Sequence, residues 1–204
     1  MLLGGSQGII KRGGRVITAK MSKESLTIWT IGHGTRTGNE FMQMLQEAGI
    51  QCLVDVRSYP GSRRNPQFSR DDLAALLSRH DIEYQWEGES LGGFRKPRAD
   101  SKHVALRSEG FRGYADYMES SSFKAGILAL IACAEKNRIA IMCAESLPWR
   151  CHRSLISDYL VTQGVTVIHL VAPGKTQEHK LNPVAKLSNG ELVYDQIVQM
   201  RLKV

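Results

Sequence analysis

Short apolar runs alternate along this chain with stretches whose apolar residues recur every three and four positions. The run Thr27-Ile28-Trp29-Thr30-Ile31 reads as a buried strand ending in Gly32-His33-Gly34-Thr35. Thr37 and Glu40 then have capping-box spacing, so a hydroxyl and a carboxylate each satisfy a free backbone N–H at a helix start. Phe41, Met44, Leu45 and Ala48 follow on one helical face, which Gly49 closes. Residues 52–56 predict a second strand, and Tyr59-Pro60-Gly61-Ser62 breaks the chain into a basic loop. Ser69 and Asp72 offer another cap ahead of Leu73, Leu76 and Leu77, and residues 82–86 predict a third strand. Residues 88–110 read as one long loop, a length that points to function or mobility. Two helices follow, one through Phe111, Tyr114, Ala115 and Met118, the other through Phe123, Ile127, Leu130, Ile131 and Ala134.

Residues 139–144 are the most continuous apolar run and predict a central strand. A helix starting near Cys151 carries Leu155, Ile156, Tyr159 and Leu160 and stops at Gly164; residues 165–171 form the last core strand. Residues 172–190 read as loop, and 191–204 as a short strand or helix. Strands alternating with helices imply an α/β fold: one domain, a mostly parallel sheet with helices on both faces, in a Rossmann-like three-layer arrangement. The expected organisation is a flexible basic leader over 1–26, the α/β domain over 27–180 and a C-terminal extension over 181–204.

A length of 204 residues fits one domain, and 42% hydrophobic with 23% charged residues excludes a disordered chain, a fibrous repeat or a disulfide-stapled miniprotein. No apolar run approaches the roughly 18–20 residues that span a bilayer, so no membrane association is expected. Residues 1–26 hold five basic residues against Glu24 alone, so +4 of the net +7 sits in the leader. Charge by itself is therefore weak support for nucleic-acid binding. Four cysteines, Cys52, Cys133, Cys143 and Cys151, without a secretory signal, predict a cytoplasmic protein with free thiols.

Open parallel sheets bind ligands beyond the carboxyl ends of their strands. His33 and Thr35 follow the first strand; Asp55, Arg57 and Arg63 end or follow the second; Cys143 and Glu145 end the fourth, ahead of Pro148-Trp149-Arg150-Cys151-His152-Arg153. His169 lies near the end of the fifth. These groups are expected to gather on one edge. A helix starting near Cys151 would favour an anion and lower that thiol's pKa, so Cys151 or Cys143 is the candidate nucleophile; the competing reading packs Cys151 inward and leaves Cys143 an ordinary strand cysteine. Asp55, inside an apolar strand, needs a partner and serves either as a structural ion pair or as a general base, and Glu145 is a second acid–base candidate. His33, Thr35, Arg57, Arg63, His152 and Arg153 are the candidates for holding the anion.

Cys143, Glu145, Cys151 and His152 could donate S, O and N to a metal. Their spacing matches no standard zinc pattern, however, and neighbouring Cys151 and His152 would diverge on a helix, so neither metal nor cofactor is expected. Gly32 and Gly34 are too sparse for a dinucleotide fingerprint. Basic stretches at 57–70 and 95–107, with Tyr59, Phe68, Trp86, Phe94 and Trp149 nearby, could stack on bases or simply anchor loops.

Thr30-Ile31-Gly32-His33, Leu53-Val54-Asp55-Val56-Arg57 with Pro60 and Ser62-Arg63, Leu91-Gly92-Gly93, Tyr114-Ala115-Asp116-Tyr117-Met118, and Met142-Cys143-Ala144-Glu145 with Pro148 and Cys151-His152-Arg153 together resemble the domain of unknown function family 488, over roughly residues 27–180. The resemblance implies an uncharacterised α/β domain, with motif positions at His33, Asp55, Arg57, Arg63, Cys143, Glu145, Cys151, His152 and Arg153, and brings no substrate with it. The expectation is thus an enzyme using cysteine- or carboxylate-assisted chemistry on a phosphorylated or nucleotide-like substrate. The alternative is a non-catalytic nucleic-acid-binding module, in repair or defence; a third class is a redox or metal-dependent protein.

Overall fold

Side-chain alternation in the strands decides which helix packs where. The computed structural model describes residues 26–61 and 64–195. The expected leader before Leu26, the end of the expected extension, and Arg63 lie outside the described residues. Five strands run parallel: β1 (Thr27–Gly32), β2 (Cys52–Asp55), β3 (Glu83–Trp86), β4 (Ile139–Cys143) and β5 (Thr166–Ala172). With β6 (Lys175–Glu178), antiparallel to β5, they form one sheet in the order β3-β2-β4-β1-β5-β6. β4 is central and wholly buried, as its unbroken apolar run requires.

Cys52 and Val54, with Ile139, Ile141 and Cys143, face one layer, made by α4 (Glu109–Tyr117), α5 (Ser121–Ala134) and α6 (Arg153–Thr162). Leu53, Ala140 and Met142 face the other, made by α1 (Gly38–Glu47) and α2 (Arg70–Ser78). The result is one three-layer α/β body with helices on both faces. The Thr37–Glu40 box caps α1 reciprocally. At α2 the Ser69 hydroxyl instead donates to Asp72, so the expected side-chain cap is absent. No helix among the described residues is long and apolar enough to cross a membrane.

Two segments read as loop are not wholly so. Residues 88–110 contain the short helix α3 (Gly88–Leu91). Residues 172–190 contain β6 and also β7 (Ala185–Ser188), which pairs with β8 (Glu191–Tyr194) in a hairpin. β6 is Lys-Thr-Gln-Glu, exposed at every position, and so carries no apolar periodicity to betray it. The hairpin turn is Asn189-Gly190, with φ of 51° and 81°, the left-handed pair that a tight hairpin needs. Ala185, Leu192 and Tyr194 join the core on the α4–α6 face, so this hairpin is part of the same body.

Candidate functional site

β1, β2 and β4 are sheet neighbours, and their carboxyl ends bring distant residues together. The His33 N–H donates to the Cys143 carbonyl, and the Gly34 N–H to that of Ala144. Around this edge lie two adjoining cavities that share Arg57, Tyr59, Gly61, Ala144 and Glu145 in their walls. One, about 490 Å³, is lined by His33, Thr35 and Arg64; the other, about 540 Å³, by Cys143, Cys151, His152 and Arg150.

A single 3-10 turn, Pro148–Arg150, delivers Cys151 and His152 to the second cavity ahead of α6. Cys151 has an extended backbone and only His152, just ahead of α6, is in the right-handed region, so the two are not successive residues of one helix. The expected divergence of the two therefore does not occur. His152 Nδ1 lies 3.6 Å from Cys151 Sγ and 3.8 Å from Cys143 Sγ. Its Nε2 donates to the Val56 carbonyl at 3.2 Å, so Nδ1 accepts a thiol proton when the ring is neutral and donates to the thiolate when the ring carries that proton. The Arg153 backbone N–H, in the first turn of α6, reaches Cys151 Sγ at 3.5 Å. Burial alone would raise the Cys151 thiol, but the hydrogen bonds from Cys143 and His152 and the charge of Arg153 outweigh it and hold Cys151 well below the ordinary thiol range. Cys143, hydrogen-bonded to Cys151 and buried, moves the other way.

The ring of His152 sits against Gly93, where a Cβ would fall 2.6 Å from Nδ1. Gly93→Ala is expected to cost about 1–3 kcal/mol in urea unfolding by overpacking. Gly110→Ala, in the first turn of α4, whose Cβ would meet only the Ser108 hydroxyl at 3.8 Å, should not lower the midpoint.

Two of the guanidinium groups expected to hold an anion, those of Arg57 and Arg153, are already engaged. Arg57 grips Asp55 through Nε and a terminal nitrogen and donates the other to the Phe68 carbonyl at 2.8 Å. Asp55 also accepts from the Arg57 backbone N–H at 3.0 Å and from the Tyr84 hydroxyl at 2.8 Å, so both its oxygens are occupied. Arg153, 1% exposed, donates to the Thr30 hydroxyl and the Glu145 carbonyl. The cationic side chains exposed along the two cavities are Arg64 and Arg150, with Glu145 and Thr35 exposed beside them. His33 is buried, stacks on Phe68 at 4.6 Å and donates from Nδ1 to the Gly34 carbonyl at 2.9 Å. Its Nε2 has no hydrogen-bond partner among the described residues, and burial lowers its pKa, so it presents a bare acceptor.

A buried polar chain that the sequence reading missed runs behind Arg153. Arg153 donates to Thr30, whose hydroxyl lies 2.7 Å from His169 Nδ1. His169 Nε2 lies 2.9 Å from His179 Nδ1, and His179 Nε2 lies 2.9 Å from Asp158, which also accepts from Tyr194 at 3.0 Å. A carboxylate at one end and a guanidinium at the other fix every proton: Thr30 donates to His169, His169 to His179, and His179 to Asp158. This chain borders a third cavity, about 600 Å³, whose walls include Asp158, His169 and His179 but none of the cysteines. His179 sits in a polar stretch and Asp158 among the apolar residues of α6, neither within a local motif; only their partners in space identify them.

The family description "Domain of unknown function DUF488" matches residues 37–160, more than half of the chain. No curated protein and no solved structure matches it.

Proposed function

This chain belongs to the DUF488 family, whose function is unknown, and we propose from its site that it is an enzyme acting on an anionic, phosphorylated or nucleotide-like substrate, with Cys143, Cys151 and His152 as the reactive centre. The observation that carries this reading is the convergence of two thiols and an imidazole, their donor atoms within 4.8 Å of one another, in the wall of a cavity large enough for a small ligand. Arg64 and Arg150 draw the anion in. His33 Nε2 accepts a hydrogen bond from the substrate, and Glu145, which lines both cavities, exchanges the proton. Asp55 and Arg57 act on one another and set the wall between the cavities.

The test pairs turnover of a panel of phosphate monoesters and nucleotides with protection of Cys151 against iodoacetamide by inorganic phosphate and by nucleoside monophosphates. Turnover is expected, falling by about 10²-fold or more in Cys151→Ser, with protection weakened in Arg150→Ala. A panel that is neither turned over nor protective overturns the reading. Tyr59 and Phe94, 76% and 77% exposed with ring centroids 5.8 Å apart at the mouth of the cysteine cavity, favour a second reading, a single-strand nucleic-acid module. That module would bind an oligonucleotide with steep salt dependence and without turnover.

A further inference from the structure

We propose that Cys143, Cys151 and His152 bind a soft divalent cation of the zinc class, leaving a fourth coordination position open to the cavity. Three ligand atoms already stand at the spacing of a metal centre. Zinc–sulfur and zinc–nitrogen bonds of about 2.3 and 2.0–2.1 Å put S and N roughly 3.5–3.6 Å apart on a tetrahedral edge. The two such edges here are 3.6 and 3.8 Å. All three donor atoms fall within 4.8 Å of one another.

The surroundings orient the ligands as a metal requires. His152 Nε2–H is held by the Val56 carbonyl, so the Nδ1 lone pair points between the two sulfurs, the outer-shell arrangement that fixes a metal-bound imidazole. Gly93 gives the ring its seat, and Tyr114 packs on it with centroids 5.0 Å apart. The Arg153 backbone N–H supports the Cys151 sulfur from behind. Two sulfurs and one nitrogen select zinc-like ions over hard cations, which prefer oxygen. Three protein ligands with an open fourth position are the arrangement of catalytic rather than structural sites. The cavity that all three line, with Glu145 and Arg150 in its wall, is where a bound water or an anionic substrate would complete the coordination. The spacing Cys143–Cys151–His152 is not a standard zinc pattern because the 3-10 turn, rather than a helix or a knuckle, brings the last two ligands round.

This deepens the activity proposed above by assigning an ion to the same three residues, but its test is binding, not turnover. The full chain is stripped with a chelator and titrated with cobalt(II), then zinc. Expected are one ion per chain, the sulfur-to-cobalt charge-transfer band with visible bands of tetrahedral intensity, and displacement by zinc. Cys143→Ala, Cys151→Ala and His152→Ala should each weaken binding at least 100-fold. Cys52→Ala and Cys133→Ala, the other neighbouring thiols at 3.9 Å, should leave it unchanged. Should the site variants fail to fold, X-ray absorption of the zinc-loaded wild type still decides, with two sulfurs and one nitrogen in the first shell expected. No cobalt band, a first shell of oxygens, or a band that survives in Cys151→Ala overturns the inference. Turnover by a chain that binds no cobalt or zinc would sink this inference and spare the proposed activity; ion binding without turnover of any anionic substrate would do the reverse.

Discussion

Asp55→Ala is expected to lower unfolding free energy by about 3–5 kcal/mol, the range for removing one partner of a buried ion pair. The reason is the charge left behind. Asp55 is fully buried and Arg57 only 5% exposed, and the guanidinium has no other carboxylate among the described residues. Without Asp55, the buried cation would keep only the Phe68 carbonyl. The Tyr84 hydroxyl would lose its acceptor as well. Burial first, and the Asp55 charge second, raise the Tyr84 pKa, so the variant should also ionise that phenol at lower pH than wild type. Replacing both partners, as in Asp55→Leu with Arg57→Met, should recover most of the loss, because apolar groups of similar volume leave no buried charge. Urea midpoints for the two singles and the double form a cycle. An Asp55→Ala variant within about 1 kcal/mol of wild type would show that water reaches Arg57 and that the pair is not buried in solution. The consequence extends to the cleft, since Arg57 holds the Phe68 carbonyl and Phe68 carries the ring of His33.

What could be read from residue order, and what could not, follows from the range of each interaction. The helix α1 was legible because its capping box and apolar stripe are local, and β4 because its buried run is unbroken. β6 was not, since a polar edge strand is defined by its pairing with β5 and not by its own pattern. The hairpin β7–β8 was legible in principle: Asn189-Gly190 between apolar residues is a turn signal, and the sequence reading passed over it. At the site, residue types at strand ends predicted which side chains would meet, but not their occupations. That Arg57 and Arg153 donate to the protein, leaving Arg64 and Arg150 exposed along the cavities, depends on hydrogen bonds that no spacing encodes. The proximity of Cys151 and His152 is not legible from helical spacing, because a 3-10 turn and an extended residue stand ahead of α6.

Acid should destabilise the protein through His169 well before its carboxylates account for the loss. Burial, then the neighbouring His179 and Arg153, push the His169 pKa down to about 3, from an ordinary value near 6.5. The folded state therefore resists a proton that the unfolded state accepts between pH 6.5 and 3. Stability from this group is complete above pH 6.5 and is lost as pH falls through that window, at about 1.4 kcal/mol per unit, for a total of about 5 kcal/mol. His33 and His103, lowered chiefly by burial, act in the same direction. The geometry explains the resistance. His169 Nδ1 must accept from Thr30, which itself accepts from Arg153, so a proton on that nitrogen breaks the chain and sets a second cation beside a buried guanidinium. His169→Gln can keep both bonds, with its oxygen toward Thr30 and its amide toward His179, yet cannot be protonated. Urea unfolding at pH 7, 5.5 and 4 should show the variant losing distinctly less stability than wild type over the same interval. Parallel losses would mean that His169 carries its proton in the folded state as readily as in the unfolded one, and that the one-way chain from Arg153 to Asp158 is not closed in solution.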